Sequence, residues 1–234
     1  MSPLGIFVTG TDTGVGKTLV AAALVRWLAL QGRRVVGLKP VASGARLVPG
    51  GLRNDDAVAL AAESNVRLPC ELTNPYCFEP AIAPHLAAAE AGRAIEIPTL
   101  IDWYHAATAG SEVAIVEGAG GWRVPLHPEG FLSDLPEQLG LGVILVIGLR
   151  LGCLNHARLT LEAISRSGRC PFLGWIGSCV DPGMARLEGN LATLDCLLGG
   201  PALAVIPPLA DPTAERVVEY LDRPGLARAL PRGR

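Results

Sequence analysis

Short, almost unbroken apolar runs alternate with longer helical stretches from one end of the chain to the other. The runs at 6–9, 34–39, 112–117, 143–149, 172–178 and 202–206 read as strands. Most lack the apolar–polar alternation of a half-exposed strand. Strands that are apolar at nearly every position are buried on both faces, as in a parallel sheet covered by helices. Helices are expected over 18–30, closed by Gly32, over 55–63, capped by Asn54 or Asp55, over 154–167 and over 213–222. This alternation predicts a single α/β domain, doubly wound about a mostly parallel sheet and covering residues 1–234. No repeat, low-complexity tract or long linker divides it. In such sheets ligands bind beyond the carboxyl ends of the strands. The residues that carry chemistry are therefore sought there.

Composition narrows the function classes. Half of the 234 residues are hydrophobic and 18% are charged, which excludes a disordered chain. Twenty basic residues face 22 acidic ones, so the footprint of a general nucleic-acid binder is missing. The most apolar run, 142–149, is far shorter than the roughly 20 residues of a membrane helix. The N-terminus lacks the basic start of a signal peptide. A soluble, cytoplasmic protein that binds no membrane is expected. The six cysteines form no CxxC pair and read as small buried hydrophobes. The four histidines are not spaced as a metal set.

One count changes the picture. Of the 20 basic residues only Lys17 and Lys39 are lysines. A compact ammonium with three donors cannot be replaced by a planar guanidinium where space is tight. Both lysines follow expected strands, so both are candidates for function. Lys17 sits in GTDTGVGKT, residues 10–18, between the first strand and the first long helix. That context makes a phosphate-binding loop. Glycines such as Gly14 and Gly16 let the backbone amides from Gly14 through Val15 to Thr18 converge on phosphate oxygens, and the helix N-terminus adds its positive dipole end. Lys17 can reach the terminal phosphates, and Thr18 can place its hydroxyl on Mg²⁺. The first glycine, Gly10, lies one place earlier than in the usual GxxxxGK[ST] spacing. Nucleotide-bound Mg²⁺ also takes one or two carboxylates. Glu117, at the end of the strand VAIVE, and Asp56, in RNDDA, are the candidates.

Several segments then occur together: GTDTGVGKT, GLKPVASG (37–44), NDDA (54–57), NPY (74–76), PH (84–85), VEGAGG (116–121) and LGCLNH (151–156). In order and spacing they resemble the dethiobiotin synthetase family, and the resemblance runs from residue 10 to about residue 211. It implies a homodimeric P-loop enzyme of biotin biosynthesis. That enzyme uses ATP and Mg²⁺ to join CO₂ to 7,8-diaminopelargonate and close a cyclic urea. By the same resemblance, Lys17 and Lys39 attend the γ-phosphate and a carbamate. Thr13 and Ser43 lie near the reacting groups. Thr18, Asp56 and Glu117 hold the metal. Gly118 and Gly120 lie on the nucleotide side. Leu151, Gly152, Cys153 and Asn155 hold the substrate's carboxylate for the neighbouring protomer. Ser178, Pro207 and Asp211 face the nucleotide base.

The chain departs from the family pattern at a few places. Gly14 stands where some members carry Glu. Ser178 stands where a common pattern has Asn, and one hydroxyl cannot make an amide's bidentate contact with adenine. Another nucleoside triphosphate is therefore compatible with the site. Asp211 replaces Glu, and Asn190 falls where some members have Tyr. The alternative reading is an ATPase switch of the partition and septum-site type, which shares the fold. Its signature lysine would fall at Asp12, where aspartate removes the cation.

Overall fold

The computed structural model describes residues 3–221 and 224–230. Its centre is one sheet of six strands, numbered here in chain order. They are β1 (Leu4–Gly10), β2 (Val35–Leu38), β3 (Val113–Glu117), β4 (Gly142–Gly148), β5 (Phe172–Ser178) and β6 (Ala204–Ile206). All neighbours pair in parallel, in the spatial order β6-β5-β4-β1-β3-β2. Each lies within a predicted run, give or take two residues at an end. The helices of eight residues or more are α1 (Lys17–Leu30), α2 (Asp55–Glu63), α3 (Ile97–Ala107), α4 (Cys153–Ser167), α5 (Leu187–Leu198) and α6 (Ala214–Leu221). Asp222, the predicted end of α6, lies outside the described residues.

The all-apolar strands are explained by burial on both faces. Along β1, Ile6 and Val8 point to one side and pack with α1 and α6, while Phe7 points to the other and meets Trp122 edge-on. On that second side α3 covers one half of the sheet, and α4 and α5 cover the other around Leu145, Ile147 and Trp175. Each fully buried Leu or Ile here contributes about 1.5–3 kcal/mol. Helix α1 is the innermost helix. Val20 to Val25 are all buried, so it has no wide polar face.

Helices α3 and α5 were not anticipated. Nor were two short antiparallel hairpins, Arg46–Val48 with Gly51–Arg53 and Pro125–His127 with Gly130–Phe131. Such short pairings take their stability from the body they lie on rather than from their own pattern.

Parallel pairing has one functional consequence. It brings the carboxyl ends of all six strands to a single edge, as the register Val8↔Glu117 and Gly148↔Ser178 shows. Lys39, Glu117 and the phosphate loop all follow from strands that end there.

Candidate active site

The loop from Gly10 to Gly16 turns from β1 into α1. Gly16 caps the helix at φ +89°, in the left-handed region. A Cβ at this position would also lie 2.8 Å from Ser178 Oγ. Glycine is therefore required twice over, by backbone angle and by the close approach of β5. The turn leaves the first N–H groups of α1 facing a cleft of about 910 Å³. Thr13, Gly14, Gly16, Lys17, Thr18, Lys39, Ser43, Asp56, Glu117 and Gly120 all line this cleft. Val15 is buried against Gly148, so it could serve a ligand only through its backbone.

At the floor of the cleft, side chains from α1, α2 and the end of β3 meet the lysine that directly follows β2. Lys39 Nζ lies 2.6 Å from Asp56 Oδ2 and 2.8 Å from Glu117 Oε1, and donates at 3.1 Å to the Gly118 carbonyl. Thr18 Oγ1 lies 2.8 Å from Asp56 Oδ1 and 2.8 Å from Glu117 Oε1. Lys39 and Glu117 are almost wholly buried, at 3% and 1% exposure. A buried pair of this kind offsets desolvation only when its geometry and further hydrogen bonds are good. Asn54 aids the arrangement: its side chain caps α2 by accepting from the amides of Asp56 and Ala57, which sets Asp56 at the helix start.

Charge states follow from the surroundings. Burial works against the Lys39 ammonium, but Glu117 and Asp56 outweigh it and hold its pKa above the ordinary lysine value. Burial pushes the Glu117 carboxyl up, against the pull of Lys39. Burial also opposes the Asp56 carboxylate, yet the Lys39 charge and the Lys39 and Thr18 hydrogen bonds bring it down. Lys17 is lowered to about 8, by burial first and by the Lys39 charge second. Its Nζ donates at 2.7 Å to the Asp12 carbonyl of its own loop.

The oxygen set suits a hard divalent cation. The single proton on Thr18 Oγ1 cannot serve both carboxylates, and Glu117 Oε2 is buried without a hydrogen-bond partner. A cation with oxygen ligands would satisfy both, and two carboxylates with one hydroxyl match the protein's share of a Mg²⁺–nucleotide site. Among the described residues no set of three His, Cys, Asp or Glu side chains offers a different metal site. Ser43 Oγ lines the same cleft and is likewise buried and unpartnered.

The remaining predicted residues lie outside this cleft. Leu151, Gly152 and Asn155 are exposed, Leu151 at 96%, while the Cys153 side chain is buried. Gly152 caps α4 at φ +96° beside the uncovered Leu151, and the Cys153 amide donates to the Arg150 carbonyl at 3.0 Å. Ser178 ends β5 next to Gly16, and Pro207 and Asp211 follow the adjacent strand β6.

Two supporting residues were not assigned roles from the sequence. Asn74 Nδ2 donates to the Lys39 carbonyl at 2.7 Å, and Arg150 forms an ion pair with Asp12. The NPY segment held the first signal. Nothing in sequence marked the second, because its partners are 138 positions apart.

Comparison with known proteins bears on the fold and the family. The family model described as an AAA domain matches residues 4–216. Solved structures show the same fold. The ParA family ATPase of Chlorobium tepidum aligns with a TM-score of 0.56 at 16% identity, covering 96% of this chain and 98% of its own. The septum site-determining protein MinD of Pyrococcus horikoshii aligns at 0.54 and 18% identity, covering 98% and 93%. Relatives in sequence are far nearer. The ATP-dependent dethiobiotin synthetase of Pseudomonas paraeruginosa is 49% identical over 217 residues, 92% of this chain and 95% of its own. Those of Cellvibrio japonicus and Chromohalobacter salexigens are 44% and 47% identical, covering 95% and 94% of this chain and 97% and 98% of theirs. Identity of this order over almost the full length of both chains, with the phosphate loop and the two lysines in one cleft, places the chain in the ATP-dependent dethiobiotin synthetase family.

Proposed function

We propose that the chain acts as one P-loop domain in a cytoplasmic homodimer that makes dethiobiotin from 7,8-diaminopelargonate, CO₂ and ATP. The observation that carries this reading is the buried Lys39 ammonium held between Asp56 and Glu117 at the floor of the phosphate-loop cleft. The reaction gathers anionic oxygens at one point, so positioning and charge neutralisation supply most of the catalysis.

One amine of the substrate adds to CO₂ and loses a proton, giving a carbamate. A carbamate oxygen attacks the γ-phosphorus, and the bond to the ADP oxygen breaks. The second amine attacks the carbonyl carbon of the resulting carbamic–phosphoric anhydride. Phosphate leaves with the C–O electron pair, the nitrogen loses a proton, and the urea ring closes.

Lys39 faces the carbamate and the γ-phosphate together, and its raised pKa keeps it cationic throughout. Lys17 leaves the Asp12 carbonyl for the terminal phosphates. Backbone amides from Gly14 to Thr18 hold the phosphate oxygens, with Gly118 and Gly120 beside them. Thr13 and Ser43 offer hydroxyls to the reacting groups. Thr18, Asp56 and Glu117 would hold Mg²⁺, which supplies charge neutralisation on the nucleotide when bound. The base sits against Ser178, Pro207 and Asp211, and Ser178 leaves room for triphosphates other than ATP. The exposed turn at Leu151, Gly152, Cys153 and Asn155 receives the substrate carboxylate bound to the neighbouring protomer, where a helix start suits an anion.

The test is incubation with the diamine, bicarbonate, Mg²⁺ and each of several nucleoside triphosphates. Mass analysis should find a product gaining one carbonyl and losing two hydrogens, together with stoichiometric phosphate. Phosphate release without that product would sink the reading. The switch reading gains no support here, because the ParA and MinD likenesses extend to the fold alone and position 12 is aspartate where the switch proteins carry their signature lysine.

A further inference from the structure

We infer that a second cavity, opening on a different side of α2 from the phosphate loop, binds an amphiphilic anion: an aliphatic chain ending in a carboxylate or phosphate. The cavity measures about 720 Å³, within the roughly 300–1,000 Å³ of ligand pockets. Its walls are α2, the hairpin ending at Arg53 and the segment from 67 to 77. Ala57, Val58, Ala61, Leu52, Leu68 and Pro75 make most of it apolar. Val58 is half exposed there, a large apolar side chain left without cover.

The polar part of the wall is of one sign. Arg53, Arg67 and Arg93 all line the cavity, against the single carboxylate of Glu71. Glu71 sits at the rim, 74% exposed and 4.0 Å from Arg53. The Arg67 guanidinium donates only to the Ala61 carbonyl, and Arg93 lies over the Tyr76 ring with one long contact to the Pro75 carbonyl. Among the described residues neither has a carboxylate partner within ion-pair distance. Cys77 lines the same cavity as Arg53 and Arg93; burial raises its thiol pKa, and both cations pull against that. Guanidinium forks with unused N–H groups beside an apolar trough match an anionic head on an aliphatic tail.

The same wall anchors the catalytic lysine. Lys39 N–H donates to the Thr73 carbonyl at 2.9 Å, and Asn74 Nδ2 donates to the Lys39 carbonyl at 2.7 Å. Thr73 and Asn74 both line the cavity, and Asn74 Oδ1 is buried there without a partner. An occupant would therefore press on the segment that sets the Lys39 backbone. The inference is independent of which reaction the phosphate-loop cleft performs.

The test is calorimetric titration of the protein, first saturated with a non-hydrolysable ATP analogue, using sodium nonanoate, octyl phosphate and nonylamine in turn. One anion is expected to bind at one site per chain, and nonylamine at least tenfold more weakly. The tighter of the two anions identifies the head group. Arg67→Gln with Arg93→Gln should weaken that anion tenfold or more, and Val58→Trp should block it by filling the trough, with thermal unfolding confirming that each variant is folded. The inference is overturned if neither anion binds, if the nucleotide analogue displaces them, if the amine binds as well as the anions, or if folded variants keep the wild-type affinity.

Discussion

Replacing Lys39 by Met keeps the stem and removes the charge, which isolates the electrostatics of the buried cluster. The wild-type ammonium has three partners, at 2.6, 2.8 and 3.1 Å. Two of them are carboxylates, and Glu117 is 1% exposed. Removing one partner of a buried pair costs about 3–5 kcal/mol, a large share of the 5–15 kcal/mol typical of a folded domain. The size of that loss depends on pH. Without Lys39, burial and the Asp56 charge hold the Glu117 pKa still further above 4.5. The folded variant then keeps a proton that the unfolded chain has lost. Its stability must fall as pH rises from 4.5 through the raised folded value and level off above it. Urea denaturation of wild type and Lys39→Met in EDTA, at pH 5 and pH 8, measures this. The expected loss is about 3–5 kcal/mol at pH 8 and less than half of that at pH 5. Turnover should be lost at both. An equal loss at the two pH values, or one below about 1 kcal/mol at pH 8, would refute the buried-cluster account.

Two further outcomes test the loop. Lys17, lowered to about 8, is partly neutral near pH 8, and phosphate oxygens should restore its charge. Nucleotide binding at pH 8 to 9 should thus take up protons, seen as a heat that varies with buffer ionisation enthalpy; a buffer-independent heat would contradict this. Asp12→Asn breaks the ion pair to Arg150, the residue before the 151–155 turn. It should raise the KM for the diamine about tenfold with the KM for ATP little changed, and Arg150→Lys should keep most of the wild-type value; equal effects on both substrates would count against a positioning role.

Much of the sheet and of the cleft lining is legible in the sequence. An unbroken apolar run can only be a two-face-buried strand or the inside of a helix, and length decided between them for all six strands. Lys17 and Lys39 stood out because the chain uses arginine everywhere else. Glu117 and Asp56 were found as acids beside glycine-rich turns. Other parts left no such trace. Helix α3, IPTLIDWYHAA, mixes β-branched and aromatic residues with few strong helix formers, so its packing against β3 and β4 rather than local propensity makes it helical. The three-residue hairpin strands are too short to carry a period.

Local pattern thus determined the strands, the buried helix α1 and the phosphate turn, because each is dictated by neighbours within a few positions. Long-range contacts decided the rest. Lys39 reaches Glu117 across 78 positions and Asp56 across 17, and Thr18 reaches Glu117 across 99. Their ionisation states exist only once the parallel sheet has carried those strand ends to one edge and excluded water from between them. A charge in the unfolded chain is solvated and indifferent to its partner, whereas in the closed cleft desolvation makes each one depend on the others.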